Sequence, residues 1–238
     1  MKNSSFIIYK NGKFYVSWRK TTSLLANYLL MKEIILSSRY VQGRVLDVGC
    51  GSKPYQLIFQ NKVKTYVGID LDGNPDFFAS ALYLPFKSQT FDTVLCTEVL
   101  EHVPEPSIVI KEIERVLKNK GILILSCPQI YPVHNSPNDF YRFTKFGLRE
   151  IVKKNGKFKI VDCYPIGRTM DVAVDFSSKI LSSILNRRYI PKILRYFIVG
   201  FPQRMYILFR KKGNIGSEKF ALNNFLIAQK CNNREHQT

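Results

Sequence analysis

Val45-Leu-Asp-Val-Gly-Cys-Gly-Ser-Lys-Pro54 joins a short apolar run to two glycines that follow it directly. A short apolar run that ends at glycine is typical of a strand buried in a parallel sheet. Glycines at 49 and 51 let the backbone turn tightly and approach a ligand closely. Asp70 ends the next apolar run, about 20 residues on, where a carboxylate can accept hydrogen bonds from ribose hydroxyls. The pattern predicts an α/β fold that binds a nucleotide.

The rest of the chain alternates between strand and helix patterns. We expect strands at 44–48, 65–69, 77–79, 91–96, 121–126, 158–164 and 224–230, and helices at 23–37, 55–61, 105–117 and 144–154. Such alternation indicates a mostly parallel sheet with helices on both faces. We predict a single domain over 1–238, composed of a helical lead-in at 1–43, a cofactor-binding core at 44–165, a basic apolar insert or lid at 166–222, and a last strand at 223–230.

The composition is that of an ordinary globular protein, with 45% apolar and 23% charged residues. None of the five cysteines follows a Cys-x-x-Cys spacing, so the sequence indicates neither a disulfide framework nor a zinc site, and we expect no metal. The first twenty residues lack the pattern of a secretory signal. A cytoplasmic setting is the expectation.

The net charge of +18 favours an anionic partner such as a membrane surface, a phosphorylated substrate or RNA. No acidic residue lies between Phe176 and Ser217, whereas nine basic residues do: Lys179, Arg187, Arg188, Lys192, Arg195, Arg204, Arg210, Lys211 and Lys212. Charged residues and prolines interrupt 189–209 too often for a membrane span. The segment 176–212 is therefore predicted either to contact an anionic membrane peripherally, at its inner surface, or to pack as an ordinary amphipathic hairpin.

Four further blocks resemble the class I S-adenosylmethionine-dependent methyltransferases, in the order and at the spacing of that family. They are Tyr66-Val-Gly-Ile-Asp70, Ala81-Leu-Tyr-Leu-Pro-Phe86, Phe91-Asp-Thr-Val-Leu-Cys-Thr-Glu-Val-Leu-Glu-His-Val103 and Val116-Leu-Lys-Asn-Lys-Gly-Ile-Leu123. The resemblance extends from about Arg44 to Phe158. It implies a Rossmann-like, seven-stranded and mostly parallel sheet whose last strand is antiparallel. It also implies S-adenosylmethionine as cofactor and S-adenosylhomocysteine as product.

The resemblance also implies a cofactor site. It assigns Asp47, Gly49 and Gly51 to the methionine part, Asp70 to the ribose, Leu71 to the adenine, and Thr97 to the methionine and sulfonium region. Cys50, Ser80 and Ala81 complete the predicted cofactor site. Cys50 would contribute only its backbone. Ser80 departs from the family pattern, because relatives usually have an aspartate there to meet the adenine amino group. Ser52 and Pro54 replace the later glycines of dinucleotide-binding proteins, which disfavours a nicotinamide dehydrogenase.

Acceptor residues are predicted at the carboxyl ends of the fourth and fifth strands. His102 and His134 are candidate general bases for a hydroxyl acceptor. The alternatives are that His102 closes the turn into the next helix and that His134 is a solvated loop residue. Asp139, Tyr141 and Arg142 are candidate substrate-binding residues, or else a capping network before helix 144–154. Glu98 and Glu101 are expected to be solvated or to cap a helix. The pattern Asp-x-Tyr-Arg-x-Thr is similar to that of methyltransferases of cell-surface polysaccharide and lipid pathways.

The favoured function is methyl transfer, as an O-methylation, to a small-molecule, glycan or lipid-linked acceptor. Two alternatives remain. An RNA methyltransferase acting on tRNA or rRNA would also account for the net charge of +18. A non-catalytic cofactor-binding or membrane-associated scaffold would account for the departure at Ser80.

Overall fold

The computed structural model describes residues 7–10, 13–16, 23–185, 191, 194, 196–210, 216–217 and 219–232. The chain divides into two compact units, Met1–Glu33 with Pro165–Asn223 and Ile34–Tyr164 with Asn224–Thr238. Most of the predicted core, 44–165, falls in the second unit. The N-terminal segment, however, groups with the predicted insert.

The described residues contain nine strands and six α-helices, and shorter helical turns at Leu100–His102 and Tyr196–Gly200. The strands are β1 (Ile7–Lys10), β2 (Lys13–Val16), β3 (Gly43–Val48), β4 (Val63–Asp70), β5 (Phe77–Phe78), β6 (Phe91–Thr97), β7 (Leu117–Pro128), β8 (Phe158–Ile166) and β9 (Asn223–Lys230). The helices are α1 (Leu24–Ser37), α2 (Gln56–Phe59), α3 (Pro106–Val116), α4 (Lys145–Asn155), α5 (Thr169–Leu185) and α6 (Phe201–Phe209).

The main sheet has seven strands in the order β5-β4-β3-β6-β7-β9-β8. Neighbouring strands from β5 to β7 pair in parallel. The sheet is parallel apart from one antiparallel strand and is flanked by helices, which confirms the predicted fold class. The strand order reverses between β3 and β6, because the chain runs outward from β3 to β4 and β5 and then returns to the other side of β3.

The core forms because the central strands are apolar on both faces. Val45, Leu46 and Val48 of β3 are fully buried, as are Leu123 and Leu125 of β7. Strands covered by helices on both sides need such runs, and each fully buried side chain of this size contributes about 1.5–3 kcal/mol relative to an exposed one.

The flanking helices begin at residues suited to that position. Pro106 occupies the first turn of α3, where its missing N–H has no intrahelical partner to lose. Thr144 is the N-cap of α4, and its Oγ1 accepts a hydrogen bond of 3.2 Å from the backbone N–H of Gly147. The buried face of α3, made by Val109, Ile113 and other residues at helical spacing, joins the central core.

The predicted helical lead-in is wrong for the first described residues. β1 and β2 pair as an antiparallel hairpin, with Ile7 opposite Val16 and Lys10 opposite Lys13. Two residues, Asn11-Gly12, separate the strands in the sequence. This dipeptide between β-branched and aromatic residues is a strong hairpin signal that the helical prediction passed over. The helix predicted at 23–37 is confirmed as α1.

The smaller unit joins the beginning of α1 to the helices of the predicted insert. Asp171, in the first turn of α5, is fully buried and accepts two hydrogen bonds from Arg210 and one from Tyr206. The backbone N–H of Leu25 donates a 3.2 Å hydrogen bond to Oε1 of Gln203 in α6. Among the described residues, none of the helices has the length and apolar character that crossing a bilayer requires.

Candidate functional site

The reversal of strand order places a crevice at the carboxyl ends of β3 and β6, where open α/β sheets bind ligands. The turn after β3 is held against β4, since the backbone N–H groups of Gly49 and Cys50 both donate to the carbonyl oxygen of Ile69, at 2.9 and 3.0 Å. Gly49 and Gly51 have φ values of +71° and +51°. Glycine adopts this left-handed region without the steric cost that other residues incur.

The two glycines face different surroundings. A Cβ atom added to Gly49 would lie 2.3 Å from Cγ2 of Val99, in the turn after β6, so this glycine allows the two turns to pack together. A Cβ atom added to Gly51 would meet no atom within 4 Å. The open space beside Gly51 leaves its backbone accessible to a ligand.

Asp70 orders the glycine turn from the end of β4. Its Oδ2 accepts a 2.7 Å hydrogen bond from the backbone N–H of Gly51. Its Oδ1 accepts from the backbone N–H groups of Leu71 and Asp72, at 2.7 and 3.2 Å. A carboxylate has about four lone-pair sites, so Oδ2 retains capacity for a further donor. Leu71 follows with 74% of its surface exposed, an apolar side chain at the rim of the crevice.

Asp47 is buried beneath the glycine turn. Tyr66 of β4 donates a 2.5 Å hydrogen bond to its Oδ2, whereas its buried Oδ1 has no hydrogen-bond partner. Burial raises the pKa of Asp47 to about 7, although the bond from Tyr66 acts in the opposite direction. Thr97 at the end of β6 is buried and donates a hydrogen bond of 3.4 Å to the Tyr55 hydroxyl.

The remaining predicted cofactor residues, Cys50, Ser80 and Ala81, contact other parts of the protein. The Cys50 thiol is directed at the sheet, where a Cβ atom added to Gly68 would lie 2.6 Å from its Sγ, and burial raises its pKa to about 12. The thiol also donates to the carbonyl oxygen of Gly51 at 3.8 Å, so it is engaged within the protein. Oγ of Ser80 accepts from the backbone N–H of Leu82 at 3.2 Å, which closes a turn, and Ala81 packs against the core.

The long loop after β7 is bound to the turn after β6. The backbone N–H of Phe140 donates to the carbonyl oxygen of Glu101 at 2.7 Å, and the Tyr141 hydroxyl donates to that of Pro104 at 2.9 Å. Nδ1 of His102 lies 2.6 Å from the carbonyl oxygen of Asn138. These bonds bring the predicted acceptor residues of both strand ends together.

An ion pair between Asp139 and Arg142 holds the loop in shape. The guanidinium bonds both carboxylate oxygens, at 2.6 and 2.7 Å, and also donates to the carbonyl oxygens of Tyr131 and Pro132. These bonds hold the pKa of Asp139 well below its usual range, although the carboxylate is almost completely buried. Asp139 also accepts a 2.8 Å hydrogen bond from the backbone N–H of His134. The assignment of Asp139, Tyr141 and Arg142 to acceptor binding stays a prediction.

Glu101 differs from its expected solvated or helix-capping position. It is fully buried in a single helical turn, Leu100–His102, and neither carboxylate oxygen has a hydrogen-bond partner. Burial and the nearby charge of Glu98 raise its pKa well above the ordinary value. Nε2 of His102 lies 3.7 Å from its Oε1, and the His102 and His134 rings pack edge to face with centroids 4.7 Å apart. Burial lowers the pKa of His134, so its imidazole is neutral at neutral pH.

Sequence reasoning missed three residues of this region: Tyr55, Tyr66 and Glu101. The tyrosines look like ordinary strand and helix residues, and only the approach of β3, β4 and β6 reveals that their hydroxyls meet Asp47 and Thr97. A signal for Glu101 existed, because its neighbours Leu100 and Val103 are apolar and flank it closely in the sequence.

Residues 46–125 match the family model described as "Methyltransferase domain". An uncharacterized protein of Methanocaldococcus jannaschii is 36% identical over 131 residues, which cover 47% of this chain and 58% of that protein. A ubiquinone biosynthesis O-methyltransferase of Paracidovorax citrulli is 34% identical over 105 residues, covering 36% of this chain and 44% of that enzyme. The chain thus spans about half the length of the relatives it matches.

Solved structures share the fold at low identity. The [4+2]-cyclase SpnF superposes with a TM-score of 0.59 at 18% identity, over 96% of this chain and 88% of that one. A SAM-dependent methyltransferase from Archaeoglobus fulgidus superposes with a TM-score of 0.56 at 14% identity, over 87% and 94% of the two chains.

Proposed function

The chain carries a class I S-adenosylmethionine-dependent methyltransferase domain, and from this premise we propose that it methylates a hydroxyl group of a small-molecule, glycan or lipid-linked acceptor. The observation that carries the proposal is the glycine turn at the reversal of strand order, with Asp70 bonded to Gly51 and the space beside Gly51 open. Resemblance to an O-methyltransferase of ubiquinone biosynthesis supports an oxygen acceptor.

The residues at the crevice fit S-adenosylmethionine. The Asp47 Oδ1 is a buried acceptor without a partner, and a ligand ammonium group would satisfy it. The remaining lone pair on Asp70 Oδ2 suits a ribose hydroxyl, and the exposed Leu71 offers an apolar surface to the adenine ring. Ser80 Oγ accepts one hydrogen bond from the turn and offers a neutral acceptor in place of a carboxylate, so the backbone near Ala81 would share recognition of the adenine amino group.

When bound, the cofactor supplies an electrophilic methyl group: the acceptor oxygen bonds to the methyl carbon as the carbon–sulfur bond breaks, the sulfur keeps the electron pair, and the acceptor proton passes to a base. The protein's contribution is alignment and proton removal. We assign the second task to His102 and His134, and their position at the turn and loop that follow β6 and β7 supports this assignment. The Asp139–Arg142 pair would position His134 through the hydrogen bond to its backbone N–H.

Transfer of a labelled methyl group tests this proposal. Purified protein is incubated with methyl-labelled S-adenosylmethionine and a panel of phenolic small molecules, soluble glycans, lipid-linked sugars and total tRNA. We expect label in one hydroxyl-bearing class, with the rate reduced at least tenfold in Gly51→Ala. Label in the tRNA fraction alone would contradict the proposal and support the RNA alternative. Binding of the cofactor without transfer to any class would support the scaffold alternative.

We further propose that the basic segment 176–212 contacts an anionic membrane. Support comes from apolar side chains that are largely exposed within the smaller unit, among them Ile184, Leu208 and Phe209. Two of the nine basic residues are already neutralised, because Lys179 pairs with Asp175 and Arg210 with Asp171. Of the other seven, Arg204 donates to the carbonyl oxygen of Gly200 at 3.4 Å. The proposal therefore depends mainly on the remaining six, which lie outside the described residues: Arg187, Arg188, Lys192, Arg195, Lys211 and Lys212.

Co-sedimentation with vesicles of phosphatidylglycerol and phosphatidylcholine tests the membrane contact. We expect binding that weakens with salt and is lost when Arg187, Arg188, Lys192 and Arg195 are changed to glutamine. The matched control changes four exposed lysines of the other unit, Lys87, Lys111, Lys153 and Lys157. Equal sedimentation of the parent and the arginine-segment variant would overturn the proposal.

A further inference from the structure

We propose that Glu101, His102 and His134 form a binding site for a divalent transition-metal ion. One donor atom from each of the three side chains lies within 4.8 Å of the other two. The set consists of one carboxylate and two imidazoles, the combination that zinc enzymes and non-haem iron enzymes use with positions left open for substrate. Bonds of about 2.0–2.2 Å to one ion would require the three atoms to approach each other by about an ångström, within reach of side-chain rotation.

The first argument is the state of Glu101. Its side chain is fully buried, and neither carboxylate oxygen has a hydrogen-bond partner. A buried carboxylate without a donor is costly, and native proteins satisfy such groups with a hydrogen bond, an ion or water. Burial keeps a proton on this carboxyl, and a cation held between Glu101 and the two imidazoles would displace that proton and pair with the carboxylate where it lies.

The second argument is the orientation of the two imidazoles. Nδ1 of His102 lies 2.6 Å from the carbonyl oxygen of Asn138, so Nδ1 must carry the proton and Nε2 keeps a lone pair. Nδ1 of His134 lies 3.3 Å both from the carbonyl oxygen of Pro132 and from Oδ2 of Asp139, which assigns it the same tautomer. Outer partners of this kind fix the ring nitrogens of metal-binding histidines.

Together these contacts leave three ligand atoms facing one another, with only the proton that burial keeps on Glu101 between them. The His102 Nε2 faces the Glu101 carboxylate at 3.7 Å, and both groups offer lone pairs. His134 packs edge to face on His102 and has its own proton engaged on the opposite side of its ring. A positive charge at the centre would satisfy all three. Imidazole donors favour Zn²⁺ or Fe²⁺ over Mg²⁺ and Ca²⁺.

The position of the site suggests what the ion would do. The three side chains lie at the turn after β6 and the loop after β7, and Val99 in that turn packs against Gly49. With the ion bound, the two histidines would serve as ligands and not as bases; the dication would instead lower the pKa of an acceptor hydroxyl, which would lose its proton to solvent. This role in methyl transfer rests on the proposed function, whereas binding of the ion does not.

Titration of the metal-free protein with Zn²⁺ alone tests the site, with binding measured by calorimetry. A second titration uses Co²⁺, whose binding is detected by visible absorption. We expect one ion per chain, and at least tenfold weaker binding in Glu101→Gln and in His134→Ala. Glu105→Gln, an exposed glutamate four residues away, is the matched control and should bind like the parent. Absence of binding by the parent, or equal binding by Glu101→Gln, would overturn the proposal.

Thermal unfolding shows whether the variants are folded. In chelator, Glu101→Gln should melt no lower than the parent, because the native carboxylate has no partner to lose. Zn²⁺ should raise the melting temperature of the parent and leave that of Glu101→Gln unchanged. Titration of the same samples with S-adenosylmethionine separates the two proposals. Cofactor binding without Zn²⁺ binding overturns only the metal site, and Zn²⁺ binding without cofactor binding overturns only the proposed function.

Discussion

The Tyr66 hydroxyl donates a 2.5 Å hydrogen bond to Oδ2 of the buried Asp47, which joins β4 to β3 beneath the glycine turn. The other carboxylate oxygen of Asp47 has no partner. This carboxyl therefore keeps its proton more firmly than an exposed one, and burial raises its pKa from 3.8 to about 7.

The pH dependence of stability follows from this shift. Between pH 4 and 7 the folded protein holds a proton on Asp47 that the unfolded chain has released, so the free energy of unfolding falls as the pH rises through this range. We expect Asp47→Asn to remove a fall on the order of 4 kcal/mol between pH 4 and pH 8. Urea denaturation of both proteins at intervals of pH measures it, with the exposed Asp72→Asn as control. Parallel stability curves for parent and Asp47→Asn would contradict the expectation.

The two glycines of the turn should respond differently to alanine. Gly49→Ala adds a methyl group 2.3 Å from Val99 at a φ of +71°, and we expect a loss of about 2–4 kcal/mol of stability. Gly51→Ala meets no atom of the protein and should cost only about 1 kcal/mol, for its φ, yet weaken cofactor binding at least tenfold. Urea denaturation and calorimetry distinguish the two effects.

The double variant Gly49→Ala/Val99→Ala provides the control for that comparison. Removal of the Val99 side chain should restore part of the stability lost in Gly49→Ala, because the close contact is with Cγ2 of Val99. Equal stability losses at the two glycines, or no recovery in the double variant, would contradict the packing described.

The Asp139–Arg142 pair should behave as a buried ion pair whose partners depend on each other. Arg142→Met leaves the almost fully buried Asp139 carboxylate without its cation, and we expect a loss of about 3–5 kcal/mol. Asp139→Asn/Arg142→Met should lose less than Arg142→Met alone, since no buried charge remains. The exposed pair Lys154–Glu150 is the control, and Lys154→Met should change stability by less than about 1 kcal/mol. Additive losses in the double variant of Asp139 and Arg142 would contradict this account.

Much of the fold was predictable, because the determining signals are local. The apolar run before Gly49, the acid at 70 and the N-cap at Thr144 each specify a structure within a few residues, and β3, β4 and α4 lie where they were predicted. The hairpin at 7–16 was missed although Asn11-Gly12 signals it.

The candidate site was less predictable, because its groups are brought together by pairing and loop packing. Sequence position indicated that Asp70 follows β4, but not that its carboxylate would hold the backbone of Gly51. The burial of Glu101 depends on a loop about 40 residues further along the chain folding over it, with the Phe140 N–H bonded to its carbonyl oxygen. No local pattern encodes such a contact.

The most direct test of the central claim is calorimetric titration of S-adenosylmethionine and S-adenosylhomocysteine into the parent, Asp70→Ala and Asp72→Ala. Asp70 bonds Gly51 and retains an acceptor for the ribose, whereas the exposed carboxylate of Asp72 accepts from the N–H of the adjoining Gly73. We expect micromolar binding by the parent and by Asp72→Ala, and its loss in Asp70→Ala. Failure of the parent to bind either compound, or unchanged binding by Asp70→Ala, would contradict the cofactor site described.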